Sequence, residues 1–307
     1  MTFPDPSRRG LTRGLAGLAV LLFATGTAQA GGESSVWSIK GKHNTLYLAG
    51  SVHALPKEHS TFPPALERAY AAADAIVMEV DLDDLNPLEA VQFITSEGTL
   101  PAGQTLEQVV GKKYASVAAL AASLDVPEVA IAKLEPWAAA MVLTQFALTK
   151  SGFDAELGID MQLVGRARAD GKKIEGLETV IDQLSVFDER SYAEQTQFLL
   201  DSTEDAPDLA ADLGRLVSAW RTGDLAALEK EFLKERARTP ALYDALLGAR
   251  NRKWIPQLEA LLDDERDYLV VVGALHFVGE DGLLELLRKA GYPAASLAGD
   301  LRPPPPR

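Results

Sequence analysis

The period of apolar and polar positions changes along the chain. Val36-Trp-Ser-Ile39 and Asn44-Thr-Leu-Tyr-Leu-Ala-Gly50 read as two short strands joined by a polar turn. The second is apolar on both faces, as a strand covered on both sides is. Pro63 to Ala73 is alanine-rich with prolines at its start, the pattern of a helix. Ala75-Ile-Val-Met-Glu-Val80 is another buried-strand run. From Asn86 to about Glu265 the spacing turns helical: Leu106, Val109 and Val110, then Tyr114, Val117, Leu120 and Leu124 recur at three and four. Breaks fall at Gly98–Gly103 and Ala206–Pro207, and Lys173 to Glu178 offers one more strand inside this region. Asp267 to Ala274 is the most strand-like stretch of all. A helix over Asp281–Ala290 and a short strand at Ala294–Leu297 follow it.

The strands therefore gather at the two ends of the chain. This predicts an α/β fold: a mixed central sheet built from N- and C-terminal strands, carrying a large helical insertion over about residues 86–265. A sheet of strands each followed by a helix presents its ligand site at the strands' carboxyl ends. There is no internal repeat of solenoid period.

The first thirty residues carry a different signal. Arg8, Arg9 and Arg13 precede the apolar run Leu15–Ala24, and Ala28-Gln-Ala30 has the small-x-small pattern of a cleavage site. The three together predict a secretory signal peptide over residues 1–30. The apolar run is shorter than the ~20 residues a membrane span needs. The expected location is periplasmic or secreted, with no stable membrane anchor after cleavage. Ser7-Arg8-Arg9-Gly10-Leu11 also resembles the start of a twin-arginine signal. Residues 31–301 read as a single α/β domain, and Arg302-Pro-Pro-Pro-Pro-Arg307 as a disordered tail.

Composition narrows the chemistry. Of 307 residues none is cysteine, which removes disulfides, thiolate metal sites and cysteine nucleophiles. The net charge is −14, and loss of three arginines and Asp5 with the leader takes it to −16. Such an acidic chain repels phosphates, so nucleic acid is not an expected partner. A peptide or small molecule is. Nothing in the sequence sets the oligomeric state.

Only four histidines occur, and two of them share a motif. Gly50-Ser-Val-His53 and Gly273-Ala-Leu-His276 both have the form G-x-x-H directly after a buried strand. The glycine allows a sharp turn or a close approach to another group. If the two strands are neighbours, His53 and His276 converge at one sheet edge, the beginning of a divalent-metal site. A histidine in either motif alone is more often a hydrogen-bonded loop residue than a ligand; the repetition is what raises the functional reading. Both are expected outside the packed interior. His43 and His59 stand in polar turns and read as solvated.

Glu79 lies in an otherwise apolar strand, where a charge must be paired, coordinated or neutralised. Glu178 ends the possible strand Lys173–Leu177. Asp160 opens a helix, where capping explains it. Arg250-Asn251 is polar amid Leu246, Leu247 and Trp254; an oxyanion partner and a surface position are both open readings.

Leu48-Ala-Gly-Ser-Val-His-Ala-Leu-Pro56, the Glu79 strand, Pro136-Trp137, Gly158-Ile-Asp160, Gly176-Leu-Glu-Thr179, Arg250-Asn251 and the stretch Val271–Leu283 together resemble the TraB/GumN family. The resemblance runs over about residues 36–300. It implies kinship with the TIKI metalloproteases and with erythromycin esterase-like and ChaN-like proteins. It also implies that His53, His276, Glu79 and Arg250 are active-site groups. The expected function is an exported metal-dependent hydrolase acting on peptide bonds, with esters or lactones next. In it His53, His276 and Glu79 hold manganese, cobalt or zinc, Glu178 or Glu79 takes the proton of an attacking water, and Arg250 faces the oxyanion. The alternative is a non-catalytic periplasmic binding or accessory protein of the cell envelope, which the same histidines would serve.

Overall fold

The computed structural model describes residues 35–297. The expected leader 1–30 and tail 302–307 lie outside the described residues. Six strands form one sheet: β1 (Val36–Lys40), β2 (Thr45–Ser51), β3 (Ala75–Val80), β4 (Lys173–Glu178), β5 (Tyr268–Gly273) and β6 (Ala295–Ser296). Their order is β4-β3-β5-β2-β1-β6. β4, β3, β5 and β2 run parallel; β1 pairs antiparallel with β2 and with β6. The sheet is thus mixed, and both chain ends supply it, as the apolar runs predict.

β5 is central because every one of Tyr268 to Val272 is buried. Its side chains alternate between two apolar layers. Leu269 and Val271 join Ile76, Met78 and Ala49 on one face, against Leu66, Tyr70, Leu163 and Trp220. Val270 and Val272 join Val77, Leu46 and Leu48 on the other, against Trp254, Leu258, Leu283 and Leu287. Each such fully buried aliphatic side chain contributes about 1.5–3 kcal/mol relative to exposure, so this strand is the best-anchored segment of the sheet.

The insertion is mainly helical but not wholly outside the sheet. Lys173–Glu178 returns as β4, the edge strand beside β3. The helices Leu106–Val110, Tyr114–Ser123, Glu128–Ile131, Pro136–Lys150 and Tyr192–Asp205 pack a core of their own around Leu106, Val117, Ile131, Leu143 and Leu199, whereas Ile159–Asp170, Leu209–Thr222 and Ala249–Leu262 pack on the sheet. The last helix starts at Leu283, two residues later than the sequence pattern indicates, because Gly282 is its extended N-cap.

Register places the site. Ser51 pairs with Gly273, Met78 with Val271 and Val80 with Glu178. The carboxyl ends of all four parallel strands therefore lie at one edge. His53, Glu79, Glu178 and His276 come from the four different ends.

Candidate active site at the carboxyl edge of the sheet

The turn after β2 is fastened to the helix Ile159–Asp170. Ile159 N–H donates to the Val52 carbonyl at 3.1 Å. Gly158 has no alternative there, since a Cβ would stand 2.2 Å from the His53 carbonyl oxygen. This contact brings Asp160, in the first turn of the helix, against His53. The His53 Nδ1–H donates to Asp160 Oδ2 at 2.8 Å, and the Ser51 hydroxyl donates to Asp160 Oδ1 at 2.9 Å. An ionised carboxylate only accepts, so Nδ1 carries a proton and Nε2 has no hydrogen-bond partner among the described residues. His53 is exposed, with 67% of its side chain open to solvent. The Asp160 charge raises the imidazole to about 9, more than burial lowers it.

The second motif leads to a different environment. Ala274–Phe277 forms a short 3-10 turn, and His276 is 3% exposed. The expectation that both histidines lie outside the packed interior therefore holds for His53 alone. Asn251 Nδ2 donates to the carbonyls of His276 and Asp281, at 3.0 and 2.8 Å. Its Oδ1 is thereby turned to the ring, 2.6 Å from His276 Nδ1. Again Nδ1 carries a proton. The imidazole packs on Trp254, with ring centroids 4.6 Å apart. Burial drives its pKa down to about 3, so it is neutral.

Between the two rings lies Glu79, on the face of β3 covered by the helix Ala249–Leu262. Its Oε1 accepts from Gly273 N–H at 2.7 Å and its Oε2 from Gln183 Nε2 at 3.0 Å and Arg250 Nη2 at 2.5 Å. Burial opposes its ionisation, but His276, His53, Arg250 and the Gly273 N–H together hold it down to about 2. Glu178 is the other partner of Arg250, accepting from Nη2 at 2.6 Å and Nε at 3.0 Å. It also accepts from Trp254 Nε1 at 3.2 Å. Arg250 Nη1 completes the set, donating to the Leu246 carbonyl at 2.8 Å and facing His276 Nε2 at 3.3 Å. All five N–H bonds of the guanidinium are thus spoken for. Burial lowers its pKa, yet the two carboxylates raise it overall.

The glycines of the two motifs do different work. Gly273 has φ −50°, open to any residue, so its value is the missing side chain. A Cβ there would sit 3.3 Å from Glu79 Oε1, 3.4 Å from His53 Nε2 and 3.6 Å from His276 Cδ2. The three candidate groups surround that one small space. Gly50 instead lets β2 approach the neighbouring chain: its Cβ would meet Ala274 and Ser35 at 3.1–3.2 Å.

A cavity of about 430 Å³ opens above this cluster, lined by His53, Glu79, Asp160, Gln183 and Arg250 on its polar side. Glu178 and His276 stand behind Arg250 and do not line it. The donor chemistry suits a divalent ion. Both imidazoles have Nδ1 fixed by an acceptor, the usual outer support of histidine ligands, but only His53 Nε2 is open, since His276 Nε2 faces an Arg250 N–H. With His53 protonated and His276 neutral, Glu79, Glu178 and Asp160 stand against Arg250 and His53, leaving one negative charge without a counter-charge. Yet among the described residues no group of three His, Asp or Glu side chains is placed so that it could hold a metal ion. The guanidinium already takes Glu79 Oε2 and the approach to His276 Nε2.

The sequence pattern points to His53, His276, Glu79, Glu178 and Arg250, and all five meet here. Asp160 meets them too, as the His53 partner rather than as a helix cap. Asn251 is marked in the sequence only through the polar pair Arg250-Asn251, with no role of its own, and Gln183 carries no sequence signal.

Two curated proteins align over most of the chain. Uncharacterized protein YbaP of Escherichia coli K12 is 27% identical over 247 residues, covering 79% of this chain and 88% of that protein. Its namesake in Shigella flexneri is 27% identical over 246 residues, with 79% and 87% covered. No solved structure matches. The TraB/PrgY/gumN family model matches residues 35–295, from β1 to the start of β6, and takes in every residue of the cluster; the chain belongs to the TraB/PrgY/gumN family.

Proposed function

We propose that the protein is an exported metal-dependent hydrolase of peptide bonds. The observation that carries the reading is the space beside Gly273, ringed by two anchored imidazoles and a carboxylate. His53 and His276 through Nε2, and Glu79 through its carboxylate, would hold one divalent ion: manganese, cobalt or zinc. When bound, such an ion supplies Lewis acidity and an acidified water.

The chain's own residues divide the remaining work. Asp160 and Asn251 fix both rings at Nδ1. Of the two carboxylates expected to take a proton from water, Glu79 faces the cavity and Glu178 does not. Glu79 accepts that proton and returns it to the amine released when the C–N bond breaks. Glu178 fixes Arg250. Arg250 acts on developing negative charge through its field, since its N–H bonds are committed to the cluster.

One observation favours the binding-protein reading instead: the guanidinium closes the space that an ion would need to reach both Glu79 and His276. A peptide-library assay separates the two. Cleavage that a chelator stops and manganese, cobalt or zinc restores, and that His53→Ala lacks, supports the hydrolase. Tight peptide binding without turnover under any of these metals overturns it. Export is tested apart from this: N-terminal sequencing of the protein from the periplasm or medium should begin at Gly31.

A further inference from the structure

Beside its polar groups the cavity has an apolar lining, built residue by residue onto the site. Gln183 and Phe187 are one turn apart on the helix Val180–Asp188. Gln183 is tied to Glu79, so Phe187 is held on the same side of the cavity. Phe187 is itself braced by Trp137 and Phe198, at ring-centroid distances of 6.4 and 5.4 Å. Leu246 stands one turn before Arg250 in the wide π-turn Asp244–Gly248, and its carbonyl accepts from the guanidinium. Leu82 follows Glu79 by three residues and lines the same cavity. Phe187, Leu246 and Leu82 are each half-buried, so their exposed parts face the opening. A π-turn is an uncommon element that is frequent at functional sites; this one sets an apolar side chain beside a buried ion pair.

The charges exclude one class of occupant. The lining carboxylates are Glu79 and Asp160; of the lining cations among the described residues, Arg250 has no N–H left for a substrate anion and the charge of His53 is already paired with Asp160. No lysine lines the cavity. At about 430 Å³ it lies near the lower end of the ~300–1,000 Å³ typical of ligand pockets, room for one or two side chains.

We propose that this cavity is a side-chain subsite that accepts a large apolar residue of a peptide and rejects acidic ones, with Phe187, Leu246 and Leu82 as its specificity-determining residues. The inference rests on the peptide reading above but not on hydrolysis, and its test keeps the two apart. Blocked tripeptides N-acetyl-Ala-Xaa-Ala-amide, with Xaa leucine, phenylalanine, alanine, lysine or glutamate, are titrated into the purified protein by ligand-observed NMR. In parallel, internally quenched peptides with the same variable residue are assayed for cleavage. Leucine and phenylalanine are expected to bind at least about tenfold tighter than alanine, the discrimination an apolar pocket achieves per group, and glutamate weakest of all. Leu246→Ala should cut the leucine-over-alanine preference at least about threefold, as should Leu82→Ala, which leaves the π-turn untouched. Binding with this preference but no cleavage keeps the subsite and discards the hydrolase. No binding by any tripeptide, glutamate binding as well as leucine, or an unchanged preference in both folded variants overturns the subsite.

Discussion

The two G-x-x-H turns place the same residue at the ends of adjacent parallel strands, yet in opposite environments. His53 faces solvent with 67% of its side chain and is held by an ionised carboxylate. His276 is 3% exposed and held by a neutral amide. Charge on the partner and access to water decide the outcome: one imidazole is pushed up to about 9, the other down to about 3. A repeated motif therefore supplies repeated geometry, two imidazoles anchored at Nδ1 near one glycine, but not repeated electrostatics. The exposed ring lines the cavity; the buried ring does not.

The largest test of that contrast falls on the buried half. Arg250→Ala strips Glu79, Glu178 and the His276 side of their shared cation. Breaking a buried pair by removing one partner costs ~3–5 kcal/mol, and urea unfolding should show a loss of that size. A smaller loss would mean that water already reaches the cluster. Next come the histidines themselves. His276→Ala removes a packed ring and orphans Asn251 Oδ1, at about 2–4 kcal/mol. His53→Ala removes an exposed ring and should cost less than ~1 kcal/mol. Equal costs would erase the comparison.

The smallest effect is the pH dependence of the metal-free protein. His53 has a raised folded pKa, so its stabilisation is complete below about 6.5 and fades as pH rises through about 9. His276 is depressed, so the unfolded chain takes up its proton first and stability falls as pH drops from about 6.5 toward 3. Glu79 adds a loss as pH falls below about 4.5 toward 2. Imidazole NMR should show His53 titrating well above His276. Asp160→Asn should return His53 toward its ordinary value and leave His276 unmoved.

These contrasts also mark what sequence can carry. Strands β2, β3 and β5 are legible because their apolar runs record burial on two faces, and β4 is legible because its short run interrupts a helical pattern. The two histidines are legible because the motif repeats after two such strands. Asp160 is misleading alone: a carboxylate at a helix start caps well, and only the seating of Gly158 on the His53 carbonyl shows that it serves another element. Glu178 is placed at the right edge by its strand, but its pairing with Arg250, 72 residues away, belongs to tertiary structure. The burial of His276 is likewise invisible in a G-x-x-H pattern, because Trp254 and Asn251 approach from another helix.

The central claim, that His53, His276 and Glu79 form one divalent-ion site, is tested most directly by calorimetric titration of the chelator-treated protein with cobalt at pH 7 in two buffers of different ionisation heat. The account predicts binding of one equivalent with release of about one proton, the one Asp160 keeps on His53. It predicts loss of that binding in His53→Ala and in Glu79→Gln, with His43→Ala as an unaffected control. Binding of the same strength in the folded His53→Ala variant, or none in the wild type, would contradict it.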